Sequence, residues 1–252
     1  WNKAMKAKSI ASDIQQIIVI GDSQDDYSSS WDQATRAQPS DRLIFDRPIS
    51  GTEIASFFHT GGTTGAPKLA QHTHRRQVLN VCQMQITGPR GKEKNEFADC
   101  DVILCTLPLF HVNAVFVTSL NAIVGAGQVV LAGPNGFRNP QLIHDFWHLV
   151  EKYKVTFFAA VPTIYATLLD QPMSNLDTSS LINCGCGAAP MPVSLIDNFA
   201  RTTGADIMEG YGRTETIDGA CTHYVYGDRK VGSVGMRLPY HGIKIAEIDS
   251  KG

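Results

Sequence analysis

The sequence predicts an α/β fold in which a parallel sheet is flanked by helices on both faces. Short, nearly continuous apolar runs of strand length recur along the 252 residues. Between about residues 100 and 210 they alternate with segments whose apolar residues are three or four apart, which is the spacing of helices. After residue 217 the helical segments stop. Short strand-like runs with glycine turns follow, and they predict the start of a β-rich, barrel-like subdomain at the C-terminal end.

Apolar runs of this kind are typical of strands that are buried on both faces of a sheet. The predicted strands lie at residues 17–20, 43–45, 54–58, 68–74, 102–107, 128–131, 156–161, 181–184 and 206–208, followed by 221–226, 232–235 and 243–248. Ligands bind at the carboxyl ends of parallel strands, so we expect the functional site in the polar turns that follow these runs.

Helical spacing predicts four helices, at residues 112–124, 140–153, 162–169 and 192–203. Three of them have a proline near the first turn, where the missing N–H does no harm: Pro140, Pro162 and Pro192. Two polar segments, residues 22–41 and 88–99, are predicted to be exposed connections.

Composition and charge argue against two classes of partner. The chain is 43% hydrophobic and 18% charged, with a formal net charge of −2 and a pI near 6.5. It therefore carries no basic footprint for nucleic acid or for a membrane surface. The apolar run at residues 112–124 is interrupted by polar residues and is shorter than the ~20 residues that cross a bilayer, so no membrane span is expected.

The cysteines and histidines do not predict a metal site. Among the six cysteines only Cys184 and Cys186 are close together, and no second pair lies at zinc-site spacing. Reduced thiols in a cytoplasmic protein are the better interpretation. His72 and His74 are two apart on a predicted strand and share a face, but without a third ligand we interpret them as structural.

The glycine- and threonine-rich segment from Thr60 to Lys68 is the most informative motif. Its glycines let backbone N–H groups point inward, its threonines add hydroxyl donors, and Lys68 adds a positive charge, which favours a phosphate-binding loop. A Walker A loop is a poor match, because Pro67 precedes the lysine and Leu69 follows it. Pro67 also favours a strand at Lys68. A surface turn is the alternative interpretation.

A second turn follows the predicted strand at residues 181–184. The segment Gly185-Cys-Gly-Ala-Ala-Pro190 has little side-chain bulk. Such a segment allows a flat ring to approach the backbone closely, and it is equally typical of a tight turn into a helix.

A third turn follows the predicted strand at residues 206–208. Tyr211 offers an aromatic face for a base, Thr214 a hydroxyl for a phosphate, and Glu215 a hard oxygen ligand of the kind that Mg²⁺ takes together with substrate phosphates. Considered alone, Glu215 would be a solvated carboxylate. The three turns together favour a nucleotide site.

In this order and at these separations, the three segments resemble the adenylate-forming (AMP-binding) superfamily of acyl-CoA synthetases, nonribosomal peptide synthetase adenylation domains and firefly luciferase. Pro108-Leu-Phe-His111 resembles the segment beside the acyl pocket of that family, and residues 232–239 resemble the segment that enters its β-barrel. The resemblance spans about residues 54–248. It implies ATP-dependent activation of a carboxylic acid to an acyl-adenylate, with Mg²⁺, followed by thioester formation with coenzyme A.

The resemblance also implies roles for individual residues. The β- and γ-phosphates of ATP would be held by Thr60, Gly61, Gly62, Thr63, Thr64, Gly65 and Lys68. The rest of the nucleotide would contact Gly187, Ala188, Ala189, Pro190, Glu209, Gly210, Tyr211 and Gly212. Within this set Tyr211 would stack on adenine, and Gly210 would also form part of the acyl pocket wall. Thr214 would contact the α-phosphate and Glu215 would hold Mg²⁺. His111 would line or gate the acyl pocket, with a hydrogen-bonded core histidine as the alternative.

The sequence departs from the family pattern at three positions. Gly61 stands where serine is common, Leu69 where glycine is common, and Arg213 where a small or apolar residue is common. Arg213 could assist the phosphates or pair with a carboxylate. An adenylation domain that loads a carrier protein and a non-catalytic nucleotide-binding module remain as alternatives. The acyl-CoA synthetase is favoured because the segment after His111 is apolar and lacks a charged anchor for an amino acid.

We expect residues 1–252 to be a fragment of the family's N-terminal AMP-binding domain. Residues 1–100 would be part of a first α/β lobe with the phosphate loop, residues 101–216 a second lobe, and residues 217–252 the start of the β subdomain. We expect the family's C-terminal lid domain to lie outside this chain and to act as its partner. We therefore expect the chain alone to bind nucleotide weakly and to form little adenylate.

Overall fold

The computed structural model of the protein describes residues 1–23, 25–42, 44, 47–60, 68–87, 101–225 and 227–247. The chain forms two compact units, Trp1–Ile49 and Ser50–Gly252. The predicted connection at residues 88–99 lies outside the described residues, as do parts of the predicted strands at 43–45, 221–226 and 243–248. The predicted lobe boundaries near residues 100 and 216 stay predictions.

The first unit is built around two short parallel strands. Its elements are α1 (Asn2–Ile10), β1 (Ile17–Val19), β2 (Ser28–Ser30) and α2 (Trp31–Arg36). The strand predicted at 17–20 is confirmed as β1. The sequence pattern does not predict α1, because none of its residues is buried and it has no apolar face to detect. The prediction of an exposed loop at 22–41 is wrong for β2 and α2, since β2 is held by pairing with β1.

The second unit contains nine strands and six α-helices among its described residues. The strands are β3 (Ile54–Thr60), β4 (Lys68–Thr73), β5 (Val102–Cys105), β6 (Gln128–Leu131), β7 (Phe157–Ala160), β8 (Asn183–Cys186), β9 (Asp206–Gly212), β10 (Gly219–Thr222) and β11 (Met236–Arg237). The helices are α3 (His74–Thr87), α4 (Asn121–Val124), α5 (Pro140–His144), α6 (Phe146–Tyr153), α7 (Pro162–Leu169) and α8 (Val193–Thr203). A π-helical segment, Asn113–Leu120, runs directly into α4, and 3₁₀ turns lie at Gly136–Arg138 and Thr214–Thr216.

Seven strands form one sheet in the order β11-β10-β9-β8-β7-β5-β6. From β6 to β9 every pairing is parallel, and β10 and β11 are added in antiparallel fashion beyond β9. The predicted α/β class, with a mostly parallel sheet flanked by helices, is confirmed. No described residue after Thr216 is helical.

The strand predictions near the C-terminal end are partly wrong. Residues 232–235 form a turn, in which Gly232 and Gly235 have φ values of 77° and 75°. Such a left-handed conformation lies outside the β region that regular strands adopt. Residues 243–247 form no strand either. Of the predicted β-rich part, the structure describes β10 and β11.

The parallel strands present different side chains to the two faces of the sheet, because successive residues alternate. One face carries Leu104, Phe158, Cys184 and Ile207 into the main hydrophobic core. That core is completed by aromatic residues of α6, α7 and α8, namely Phe146, Trp147, Tyr165 and Phe199. The opposite face carries Ile103, Ala159, Gly185 and Met208, which line a cavity.

Several helix boundaries differ from prediction for physical reasons. The helix at 162–169 is confirmed as α7, and that at 192–203 as α8, which ends at Gly204 with a φ of 77°. The single helix predicted at 140–153 is interrupted at Asp145, which separates α5 from α6. The segment predicted as one helix at 112–124 is π-helical before α4.

The spacing of apolar residues did not predict the end of β4 or the presence of α3. The strand predicted at 68–74 ends at Thr73, and His74 begins α3 instead of sharing a strand face with His72. The sequence does not predict α3 because half of its buried residues are polar: Asn80, Val81, Met84 and Thr87. No helix among the described residues combines the length and hydropathy that crossing a membrane requires.

Candidate functional site

A cavity of about 610 Å³ lies in the second unit, against the face of the sheet that is turned away from α6, α7 and α8. Its other walls come from α3, the π-helical segment, α4 and the chain after β9. This volume is in the range of small-molecule sites. The cavity reaches the carboxyl ends of four neighbouring parallel strands, β5, β7, β8 and β9.

The strand order explains why the cavity opens at this edge. The chain goes from β5 to β6 on one side of β5 and then returns to place β7 on the other side. Connections that leave in opposite directions open a crevice between neighbouring carboxyl ends. Leu107, Pro108 and His111 follow β5, Val161 follows β7, and all four line the cavity.

The segment after β9 forms a tightly hydrogen-bonded wall of the cavity. Arg213 N–H donates to Thr216 Oγ1 at 3.0 Å and to the carbonyl of Asp218 at 3.1 Å. Gly212 is required here, since a Cβ at this position would lie 1.6 Å from the carbonyl oxygen of Asp218. Tyr211, Arg213, Thr214 and Glu215 all line the cavity, and Tyr211 is 47% exposed.

The side chains of Arg213 and Glu215 form an ion pair, with Nε and Oε2 3.8 Å apart. Both side chains are more than half exposed, at 64% and 55%. Of the two roles expected for Arg213, pairing with a neighbouring carboxylate is present. Glu215 remains accessible from the cavity, as an oxygen ligand would need to be.

The turn after β8 contributes Gly187 and Ala188 to the cavity wall, whereas Ala189 and Pro190 are exposed outside it. Ala188 has a φ of 69°, which is uncommon for a residue with a side chain. The strand itself ends at Cys186, two residues later than predicted, because Gly185 and Cys186 pair with Ala159 and Ala160 of β7.

Glu209 is positioned differently from the other residues expected at the nucleotide. It is 7% exposed, and its carboxylate accepts hydrogen bonds from the backbone N–H of Met191 at 3.4 Å and of Gly232 at 3.0 Å. Its carboxylate therefore clamps two backbone segments together. The neighbouring Gly210 and Gly212 line the cavity.

The predicted phosphate loop is bracketed by the ends of β3 and β4. Thr60 and Lys68 are paired across this hairpin, and Thr60 Oγ1 donates to the carbonyl of Lys68 at 3.2 Å. Thr60 lines the cavity, and Lys68 is exposed. The predictions for Gly61, Gly62, Thr63, Thr64 and Gly65 lie outside the described residues.

His111 lies on the cavity wall and is exposed, so it is not a core histidine. Its Nδ1 accepts a hydrogen bond from the backbone N–H of Asn113 at 3.2 Å, which leaves the proton on Nε2. Partial burial lowers the pKa of His111 below its ordinary value of 6.5. The neutral ring therefore faces the cavity at neutral pH.

The sequence did not predict the contacts and surroundings of two residues in this region, Asp218 and His72. Asp218 lines the cavity, and burial raises the pKa of its carboxyl to about 7. Its carboxylate has no hydrogen-bond or ion-pair partner in the part of the chain that the structure describes. His72 of β4 contacts the carbonyl of Thr214, 142 positions away in the sequence, at 2.8 Å. Neither position belongs to a short motif.

Neither a clustered metal site nor an activated thiol is found among the described residues. No group of three or more His, Cys, Asp or Glu residues capable of holding a metal ion occurs among the described residues. The five described cysteines are free thiols. Burial raises the pKa of Cys184 and raises that of Cys186 to about 12, so both stay protonated near neutral pH and are poor nucleophiles.

Residues 2–252 match the AMP-binding enzyme family. The marinolic acid–CoA ligase of Pseudoalteromonas sp. (strain SANK 73390) is 49% identical to this chain over 252 residues. The match covers 100% of this chain and 38% of that protein. The chain thus spans less than half the length of this curated relative, which is a CoA ligase.

Solved structures of related enzymes share the fold. The anthranilate CoA ligase AuaEII, in complex with anthranoyl-AMP, has a TM-score of 0.78 at 24% identity, over 98% of this chain and 45% of that chain. ATP-bound MatB from Rhodopseudomonas palustris has a TM-score of 0.67 at 26% identity, over 82% of this chain and 38% of that chain. Because the family match extends over almost the whole sequence, the chain belongs to the AMP-binding enzyme family.

Proposed function

We propose that this chain carries a large part of the ATP and acyl site of an acyl-CoA ligase, which activates a carboxylic acid as an acyl-adenylate and transfers it to coenzyme A. One observation carries the proposal. A single cavity brings together the mouth of the phosphate loop at Thr60, the turn at Gly187 and Ala188, and the Tyr211–Glu215 segment. These segments are distant in sequence, and each has the chemistry for a different part of ATP.

The relatives support this assignment. The marinolic acid–CoA ligase is 49% identical to the chain, and MatB, at 26% identity, is a structure with bound ATP. The chain matches 38% of the length of each. The activity, the acid and the acceptor thiol of the whole protein are therefore proposals.

In the proposed site, Tyr211 stacks on the adenine, the hydroxyl of Thr214 donates to the α-phosphate, and Lys68 pairs with the outer phosphates. Glu215 holds Mg²⁺. An accessible carboxylate fits this role, since Mg²⁺ is commonly bound by one or two carboxylates together with substrate phosphates and water. When bound, the ion neutralises charge on the phosphates.

The acyl group occupies the part of the cavity that His111 and Gly210 line. This part continues along the sheet face that carries Ile103 and Ala159, toward Met84 of α3. Its walls are mostly apolar, so binding is governed by hydrophobic burial. Asp218 is a partly buried acid in this wall, and desolvation raises the pKa of its carboxyl to about 7.

The chemistry needs no covalent protein nucleophile. The carboxylate oxygen of the acid forms a bond to the α-phosphorus, and the bond from that phosphorus to pyrophosphate breaks. The thiol of coenzyme A then attacks the acyl carbon, loses its proton, and displaces AMP. Positioning and charge neutralisation, which Thr214 and Lys68 provide, are the main contributions that a protein makes to such transfers.

Nucleotide binding by the 252-residue chain is the direct test. Mg-ATP affinity is measured by calorimetry for the wild type, Lys68→Ala and Glu215→Ala. Lys152→Ala, an exposed lysine of α6 outside the cavity wall, is the matched control. We expect the two site variants to bind at least about tenfold more weakly, as the loss of a charge-assisted contact implies. Unchanged affinities would contradict the proposed site.

Turnover is tested in a chimera of the marinolic acid–CoA ligase in which this chain replaces the matched 38% of the sequence. We expect acid-dependent ATP–pyrophosphate exchange and thioester formation with coenzyme A, both lost in Lys68→Ala. Exchange with transfer to a phosphopantetheinyl carrier protein but not to coenzyme A would favour a carrier-loading adenylation domain. Nucleotide binding with no exchange for any acid would favour a non-catalytic module.

A further inference from the structure

The imidazole of His72 lies where the β3–β4 hairpin meets the turn after β9. Its Nε2 atom is 2.8 Å from the carbonyl oxygen of Thr214. A carbonyl can only accept, so Nε2 carries the proton and donates it. The same carbonyl accepts from the backbone N–H of Ile217 at 3.2 Å. Its two acceptor positions are thus used, one within the turn and one by the hairpin.

The surroundings of His72 select this neutral tautomer. The residue is 2% exposed, its ring stacks on Phe58 with a centroid separation of 5.4 Å, and it lies 6.0 Å from the ring of Phe116. Among the described residues, its Nδ1 has no hydrogen-bond partner. Burial, with a smaller effect from the charge of Arg76, lowers the pKa of His72. A charged ring would bring a second N–H into apolar surroundings without an acceptor.

The two elements that this hydrogen bond joins each carry a residue of the proposed nucleotide site. On β4, Lys68 and His72 are four residues apart and point to the same side of the strand. Lys68 is paired with Thr60 at the mouth of the phosphate loop. Thr214, at the other end, lines the cavity. One partly buried hydrogen bond therefore connects the β3–β4 hairpin, which carries Lys68, to the turn that carries Thr214.

We propose that His72 is a positioning residue that couples the two halves of the ATP site, holding Thr214 in place relative to the strand that carries Lys68. This inference rests on the proposed function. His72 does not line the cavity, so it acts through the Thr214 carbonyl and makes no contact with the nucleotide. Removal of the Nε2 donor of His72 weakens ATP binding, because the turn that carries Thr214 is then no longer fixed relative to the β3–β4 hairpin.

Four variants of the chain separate this role from simple packing. His72→Phe keeps a stacking ring and removes the donor. His72→Gln keeps an amide N–H close to the Nε2 position, whereas His72→Asn moves the donor toward the Nδ1 position. His59→Phe is the matched control, because His59 is an exposed histidine on the neighbouring strand β3.

Mg-ATP affinity is the first measurement. We expect His72→Phe and His72→Asn to bind about fivefold more weakly than the wild type, the factor expected for one net hydrogen bond. His72→Gln should restore the affinity to within about twofold, and His59→Phe should match the wild type. A general packing defect would not be rescued by glutamine, which cannot stack as a ring. Equal affinities for His72→Phe and the wild type, or a His72→Gln as weak as His72→Phe, would overturn the proposal.

Amide hydrogen exchange without nucleotide is the second measurement, and it does not depend on the proposed function. We expect the peptide that contains residues 211–216 to exchange faster in His72→Phe than in the wild type and in His72→Gln. If exchange is unchanged, the coupling is overturned. If exchange responds but the wild type binds no Mg-ATP, the ATP site fails, and with it the role of His72 in positioning a nucleotide.

A wild-type measurement covers the case in which His72→Phe fails to fold. The ¹⁵N resonances of the His72 ring report its tautomer directly. We expect a proton on Nε2 and a shift of this resonance when Mg-ATP is added, with no shift for His59. A proton on Nδ1, or no response of His72 to bound Mg-ATP, would overturn the proposal.

Discussion

The phenol of Tyr165 donates a hydrogen bond to the carbonyl of Gly185 at 2.7 Å, which joins α7 to the middle of β8. Tyr165 is fully buried, and burial raises the pKa of its phenol, so the group remains a donor. Because β8 leads into the turn at Gly187 and Ala188, this bond holds the strand that presents one wall of the cavity.

Replacing Tyr165 with phenylalanine should lower the free energy of unfolding by about 1–2 kcal/mol, because the carbonyl of Gly185 loses a buried donor. Urea unfolding measures the change. The matched control is Tyr153→Phe, at a tyrosine that is 40% exposed, where we expect a change within about 0.5 kcal/mol. A loss no larger than that of the control would show that the bond contributes little.

Glu209 and Glu215 should respond in opposite ways to alanine substitution. Glu209→Ala removes an acceptor from the backbone N–H groups of Met191 and Gly232, so we expect a loss of about 2 kcal/mol in unfolding free energy. Glu215→Ala, at a side chain that is 55% exposed, should leave stability nearly unchanged and weaken Mg-ATP binding. Urea unfolding and calorimetry on the same two variants give both numbers. An unchanged unfolding free energy for Glu209→Ala would show that these two hydrogen bonds do not stabilise the fold.

Gly212→Ala should disrupt the turn that carries Thr214 and Glu215. The added Cβ would lie 1.6 Å from the carbonyl oxygen of Asp218, so the backbone must move. We expect a destabilisation of about 1–3 kcal/mol, the usual size of an overpacking penalty, together with weaker Mg-ATP binding. Gly242→Ala is the control, since an added Cβ there meets no atom within 4 Å. Thermal unfolding that is equal for the two variants would argue against a close approach at Gly212.

Asp218 should make the stability of the chain depend on pH. Burial raises the pKa of its carboxyl from an ordinary value of 3.8 to about 7. Between these two pH values the unfolded chain has lost the proton and the folded chain still holds it. The folded state is therefore increasingly disfavoured as pH rises from about 4 to about 7, and the penalty is complete above that range.

Asp218→Asn removes this titration, so the variant should be more stable than the wild type at pH 8 and nearly equal to it at pH 4. The gap at pH 8 should be on the order of 2 kcal/mol or more. Unfolding free energies across this pH range measure it. Asp197→Asn is the matched control, because it removes the same charge at an exposed position on α8, outside the cavity wall. A stability gap between Asp218→Asn and the wild type that does not grow with pH would contradict a raised pKa at this position.

Elements with strong apolar spacing were predictable from the sequence, and β6 and α7 lie at their predicted bounds. The helix α3 was not, because its buried face contains the polar residues Asn80 and Thr87, whose place in the interior depends on distant groups. Asn80, for example, donates through its side chain to the carbonyl of Gly219 at 2.9 Å. The local sequence pattern around Asn80 does not indicate a partner so far along the chain.

Part of the candidate site was likewise predictable from the sequence, and part was not. The sequence alone predicted that the segments around Thr60, Gly187 and Tyr211 contribute to a nucleotide site, because residue types and spacing within each segment are local properties. Only the tertiary structure decided that they share one cavity, since that depends on strand order in the sheet. It also decided that Glu209 accepts from two backbone segments, that Asp218 is partly buried with a raised pKa, and that His72 donates to the carbonyl of Thr214. Each of these depends on contacts with residues far along the chain or on burial by them, which no local pattern specifies.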